Sequence, residues 1–160
     1  MENKKLLEEI RSYWNNRADG YSRVNQEELH SEQKEKWKEV LLEQLPKKEK
    51  DQVQILDIGT GPGFFAILLA EEGYQVTAVD YTEQMLQEAK SNAADLADQI
   101  SFKRMDAQNL EFPKETFDYI VTRNVTWNLE HPKRAYREWQ RVLKPGGKIL
   151  NFDANWYAYL

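Results

Sequence analysis

Apolar residues along this chain recur with two periods. Leu6, Leu7, Ile10, Tyr13 and Trp14 follow one another at helical spacing, as do Trp37, Val40, Leu41 and Leu45 ahead of Pro46. Each set falls on one face of a helix, so two amphipathic helices are expected at the N-terminus. From Val53 onward short apolar runs alternate with helical patterns: strand 53–58, helix 63–72, strand 75–80, helix 82–96, strands 100–104 and 117–123, helix 132–143 and strand 147–153. Strands alternating with helices imply an α/β fold, a doubly wound and mostly parallel sheet of about five strands covered on both faces. Local signals agree. Thr82 stands where a cap is wanted, Pro132 where an initiating proline is tolerated, and Lys144-Pro145-Gly146-Gly147 stops the last helix and turns into the fifth strand.

Composition narrows the partners. A chain of 160 residues is long enough for one domain with a full core. Its net charge of −5 leaves no basic stripe to neutralise phosphates, which argues against a nucleic-acid surface and favours a small neutral or cationic ligand. Without cysteine there is neither disulfide nor thiolate metal site, and no metal is implied. Met1-Glu2-Asn3-Lys4 lacks the apolar stretch of a secretory signal, and the longest apolar run, Phe64 to Ala70, is far short of a membrane span. A cytoplasmic location is therefore expected.

The chemistry is concentrated in Ile55-Leu56-Asp57-Ile58-Gly59-Thr60-Gly61-Pro62-Gly63. A buried strand runs into glycines that let backbone approach a ligand, and the helix opening at Phe64 offers unpaired amides to a nucleotide. The next strand ends in Val79-Asp80, where a carboxylate would hold a ribose diol. A dinucleotide fingerprint would place its third glycine at position 64, which here is Phe64. Asp57-x-Gly59-x-Gly61-x-Gly63 instead resembles motif I of the class I S-adenosylmethionine-dependent methyltransferases, whose sheet is Rossmann-like. The resemblance covers residues 50–153, and it implies one domain over 1–160, with a helical lid over 1–46 and the cofactor-binding core over 50–160. That family completes its sheet with two further strands, so a C-terminally truncated form is expected. Alternatively, a partner chain would cover the fifth strand and the apolar tail Trp156, Tyr157, Tyr159 and Leu160, as in a homodimer.

The resemblance also assigns residues. Asp80 would hold the ribose hydroxyls with Tyr81 beside it, while Asp106 and the amide of Ala107 would bracket adenine; alone, Asp106 is equally what a turn residue looks like. Asp57 would order the glycine loop or serve as a plain strand-end carboxylate. Strand four ends in Arg123-Asn124-Val125-Thr126-Trp127-Asn128, where Asn124 is the first choice for the cofactor's amino group or the acceptor, and Arg123 reads as half of an ion pair. This segment departs from the Asn-Pro-Pro-Tyr signature of amino methyltransferases acting on nucleic acids or proteins. Tyr13-Trp14-Asn15-Asn16-Arg17-Ala18-Asp19-Gly20-Tyr21 looks like the lid of small-molecule methyltransferases, including those of quinone biosynthesis, with Tyr13 and Tyr21 over the methionine portion.

Tyr21, His30 and Asn124 are the candidate catalytic groups, with no residue clearly singled out; His131 reads as a surface or capping group. The acceptor would lie among Tyr13, Tyr21, Asn124, Trp127 and the aromatic tail. The sequence thus reads as a methyltransferase that moves a methyl group to a small molecule by direct displacement, with S-adenosylmethionine as cofactor and S-adenosylhomocysteine as product. Two alternatives stay open: a module that binds the cofactor without turnover, and a nicotinamide-dependent oxidoreductase.

Overall fold

The computed structural model describes Glu8, Glu9, Leu29 and residues 32–126 and 129–153. These residues form a sheet of five strands, β1 Ile55–Ile58, β2 Val76–Asp80, β3 Ile100–Arg104, β4 Phe117–Arg123 and β5 Leu143–Phe152, in the order β3-β2-β1-β4-β5. Every pairing is parallel, so the expected mostly parallel sheet is wholly parallel here. Four α-helices accompany it: α1 Gln33–Glu43, α2 Phe64–Glu71, α3 Glu83–Ala93 and α4 Pro132–Val142. The order reverses at β1 and β4, the switch point at which open α/β sheets bind ligands beyond the carboxyl ends of their strands.

Both faces of the central strands are covered. β1 and the central part of β4 are buried throughout, which is why they read as continuous apolar runs. On one face Ile55, Val76, Ala78, Tyr119 and Val121 pack against Phe65, Leu68 and Leu69 of α2 and Leu41 of α1. On the other, Leu56, Ile58, Val79 and Ile120 pack against Ala135, Trp139 and Val142 of α4. Trp139 Nε1 donates to the carbonyl of Ala107 at 3.0 Å, so this helix also anchors the loop after β3.

The boundaries differ from expectation where backbone conformation intervenes. The second crossover helix stops at Ala93 because Ala94 takes a positive φ of 50°, and a 3-10 turn over Ala94–Gln99 carries the chain into β3. The fifth strand begins at Leu143, opposite Phe117, and bulges before Lys148 meets Tyr119. Gly146, at φ 80°, lies in that bulge rather than in a turn ahead of the strand. The first strand starts at Ile55 because a 3-10 turn over Lys50–Gln52 captures the amide of Val53. Thr82 occupies the cap position of α3 without a side-chain cap bond.

Of the two expected N-terminal helices, α1 is the second. The first falls mainly outside the described residues, of which Glu8 and Glu9 are helical. Along α1, Leu41 is buried but Val40 is 42% exposed, so the expected apolar face is narrower. Its C-terminal end is tied to the sheet by Tyr119, whose buried hydroxyl donates to the carbonyl of Leu41 at 2.9 Å. That carbonyl is among the last four of the helix, which have no partner within it. Replacing Tyr119 by Phe leaves the carbonyl unpaired and is expected to cost about 1–2 kcal/mol, measured by urea unfolding. A stability unchanged within error would mean that the bond contributes nothing to α1 docking.

Candidate functional site

The glycine loop between β1 and α2 is held from several sides. Gly59, Gly61 and Gly63 have φ of 66°, 55° and 95°, values that side-chain-bearing residues rarely adopt. At Gly59 space is also decisive, since an added Cβ would lie 2.3 Å from Cγ2 of Val125, in the segment after β4. At Gly61 the same atom would meet nothing within 4 Å. The loop therefore leaves an open cradle at its middle glycine while its first glycine is closed over by Val125.

Two carboxylates on adjacent strands fix this loop. Asp57, 2% exposed, accepts the Thr60 hydroxyl at 2.7 Å. Asp80, at the carboxyl end of β2, is half-buried and accepts the Gly61 amide through Oδ2 and the Thr82 amide through Oδ1, both at 2.9 Å. The Thr60 amide donates to the carbonyl of Val79 at 3.0 Å, and Asn92 Nδ2 of α3 donates to the carbonyl of Pro62 at 2.9 Å.

Burial pushes the Asp57 carboxyl up to about 7, against the Thr60 hydroxyl bond, and the nearby Asp80 charge adds to the rise. Asp80 is likewise raised by desolvation, opposed by the amides of Thr82 and Gly61.

The other described residues singled out in the sequence follow the carboxyl ends of neighbouring strands. Tyr81 follows Asp80 directly; Arg104 donates to its carbonyl at 3.2 Å and lies 5.6 Å from its ring centroid. The Tyr81 hydroxyl reaches Glu8 at 3.5 Å, so part of the N-terminal segment stands beside the end of β2. After β3, Asp106 accepts the Gln108 amide at 2.9 Å and the Gln108 side-chain amide at 3.5 Å, both through Oδ1. Gln108 is buried and accepts the His131 amide at 2.5 Å, linking the Asp106-Ala107 turn to the start of α4. Asn124 has a positive φ of 57° and donates its amide to Phe152 at 2.7 Å.

Asp57, Gly59, Gly61, Gly63, Asp80, Tyr81, Asp106, Ala107 and Asn124 thus all lie at the carboxyl ends of the strands or in the segments that follow them. Tyr13, Tyr21, His30, Trp127, Asn128 and the aromatic tail fall outside the described residues. The guanidinium of Arg123 lies against the rings of Trp37, Phe64 and Phe65. His131 holds the cap position of α4, with Nε2 3.8 Å from Glu130.

Sequence reading did not single out Thr60, Val125 or Gln108. A hydroxyl three residues after the motif acid was the only local sign of the first. The other two act through contacts distant in sequence. A separate cavity of about 520 Å³ opens at the start of α4, lined by Glu130, His131, Pro132, Lys133, Arg134 and Arg137. Neither the glycine loop nor Asp57, Asp80 or Asp106 lines it.

A glycine loop flanked by carboxylates at the switch point of an α/β sheet is the kind of arrangement that nucleotide-type cofactors use. The methyltransferase-domain family matches residues 56–151, more than half of the chain. The ubiquinone/menaquinone biosynthesis C-methyltransferase UbiE of Rickettsia bellii is 30% identical over 149 residues, covering 88% of this chain and 58% of its own length. The solved structure of mmp1179 from Methanococcus maripaludis superimposes with a TM-score of 0.75 at 25% identity, over 88% of this chain and 64% of that one. Phosphoethanolamine N-methyltransferase 2 of Haemonchus contortus, solved with S-adenosyl-L-methionine, matches with a TM-score of 0.64 at 30% identity, over 72% of this chain and 27% of that one. The chain belongs to the class I S-adenosylmethionine-dependent methyltransferase family, whose cofactor is S-adenosylmethionine. Membership overturns the nicotinamide alternative. The chain spans 21%, 39% and 58% of the lengths of three curated relatives. No described helix is long and apolar enough to cross a membrane.

The raised Asp57 carboxyl has a consequence for stability. The folded chain holds this proton up to about pH 7, whereas the unfolded chain releases it near pH 4. Folding stability is therefore expected to fall as pH rises through that window, with the loss complete above it. Asp57→Asn removes the titration and should flatten the decline between pH 5 and 8 in urea unfolding. Equal slopes for the two proteins would show that Asp57 titrates normally.

Proposed function

We propose that the crevice holds S-adenosylmethionine and that the protein transfers its methyl group to a small-molecule acceptor. The observation that carries this reading is Asp80. Its carboxylate organises the glycine loop through Gly61 and the start of α3 through Thr82, at the switch point of the sheet.

The donor set fits the cofactor. A carboxylate accepts from the two hydroxyls of a ribose, and the open side of Gly61 lets backbone come close. Asp106 is an acceptor for an adenine amine, with the Ala107 amide as donor beside it and Tyr81 on the flank. Asn124 faces the amino-acid end or the acceptor. Asp57 keeps the loop in place through Thr60. Tyr13 and Tyr21, which fall outside the described residues, are the proposed lid side chains.

When bound, the cofactor supplies a methyl group on a sulfonium, open to in-line attack by a nucleophile. The chain's own part is to orient, since near-attack placement is the main demand of such a displacement. Candidate groups on the acceptor side are Asn124, Tyr21 and His30. A quinone-type acceptor is favoured by the similarity to UbiE, which is named for quinone biosynthesis, and by the absence of the Asn-Pro-Pro-Tyr signature. A module that binds cofactor without turnover is the competing reading.

Calorimetric titration with S-adenosylhomocysteine tests the site without knowledge of the acceptor. Binding is expected, and Asp80→Ala should weaken it by about 1.5–3 kcal/mol through loss of charged hydrogen bonds. Unchanged affinity would remove Asp80 from the ribose role. Incorporation of labelled methyl into a hydroquinone acceptor would establish turnover, whereas binding without methyl transfer to any of a panel of small nucleophiles would favour the binding module.

A further inference from the structure

Arg123 ends β4 on the face of the sheet that carries α1 and α2. Its guanidinium carbon lies 4.9 Å from the ring centroid of Trp37, 5.6 Å from that of Phe64 and 6.0 Å from that of Phe65. Phe152 of β5, the register partner of Arg123, closes the cluster, 5.2 Å from Trp37 and 5.8 Å from Phe65. Trp37 and Phe65 are themselves 5.3 Å apart. Four elements therefore meet around one cation. Arginine suits the place because its planar, weakly hydrated guanidinium can lie against aromatic faces where an ammonium would hold its water more tightly.

Two of those elements lead straight into the cofactor crevice. Phe64 and Phe65 are the first residues of α2, directly after Gly63, so the position of their rings sets where the glycine loop ends. On the other side of the crevice, Arg123 is followed by Asn124, whose amide is held by Phe152, and then by Val125, which closes over Gly59. The third element, α1, joins the N-terminal segment to the core. Among the described residues, its polar side-chain ties to the core, apart from Tyr119, run from Lys34 and Lys38 to Glu71 and Glu72, at the far end of α2.

We propose that Arg123 is a positioning residue that couples docking of α1 to the geometry of the glycine loop and of the segment after β4. It touches neither cofactor nor acceptor in this role. It transmits the seating of Trp37 to Phe64 and Phe65, and through them to Gly63. The coupling is reciprocal, so ligand that orders the crevice also holds α1 more firmly. The proposal rests on the cofactor reading only for its ligand readout.

The test combines amide hydrogen exchange on residues 33–43 and 59–66 of the free chain with the affinity for S-adenosylhomocysteine. Arg123→Met is expected to speed exchange in both segments and to weaken binding, each by about tenfold, with circular dichroism unchanged. Arg123→Lys, which keeps a cation but one that holds its water more tightly, should recover only part of both. Combining Arg123→Met with Trp37→Leu should cost no more than the worse of the two alone, since both remove one coupling. Unchanged exchange over 59–66 in Arg123→Met, or additive losses in the double variant, would overturn the proposal. If Arg123→Met does not fold, Trp37→Leu and Arg123→Lys carry the same comparison, and glycine-loop exchange that fails to follow α1 in them counts against it. If the unaltered chain binds no S-adenosylhomocysteine, the cofactor reading fails, and loop exchange still decides the role of Arg123.

Discussion

The site depends on a loop that is held on two sides and left open in the middle. Backbone through Gly59, Gly61 and Gly63 adopts conformations unfavourable for other residues, and it does so against carboxylates from two neighbouring strands. Asp57 reaches the loop through Thr60, and Asp80 reaches it through Gly61. Taking the Asp57 carboxylate out of water is costly, and partial burial of Asp80 adds to the cost; desolvation raises both carboxyls. The fold meets that cost with hydrogen bonds to hydroxyl and amide, and what results is a rigid approach for a ligand that brings its own donors.

The same economy appears around the rest of the crevice. The Asp106-Ala107 turn is fastened by Gln108 to the start of α4 and by Trp139 from the middle of that helix, so the adenine end of the proposed site stands on a packed layer. Arg123 and its rings serve the opposite face, where α1, α2 and β5 converge. Placing binding groups at the ends of strands in a packed sheet gives precision that surface loops alone would not provide.

Much of this was legible in the sequence. Central parallel strands buried on both faces appear as unbroken apolar runs, and helices between them as periodic ones, so the element order followed from pattern. The glycines and Asp80 were legible because the ligand's demands on backbone and carboxylate are local. What stayed hidden depends on contacts between distant positions. The positive φ of Ala94 cut a helix short, the bulge between Leu143 and Lys148 lengthened a strand, and Val125 met Gly59 across the sheet. The ring cluster around Arg123 stayed hidden because nothing nearby in sequence announces that Trp37 and Phe65 converge on it. The exposure of Val40 shows the same limit, since helical spacing gives the face of α1 but not how much of it the core covers.

The central claim is that the glycine loop and the carboxyl ends of β2 and β3 form one cofactor crevice. Nitrogen-15 correlation spectra recorded during titration with S-adenosylhomocysteine test it most directly. The account predicts that the largest shifts fall on the amides of Gly59, Gly61, Gly63, Asp80, Tyr81 and Ala107. Shifts centred instead on His131, Lys133, Arg134 and Arg137, at the separate cavity, or none at saturating ligand, would contradict it.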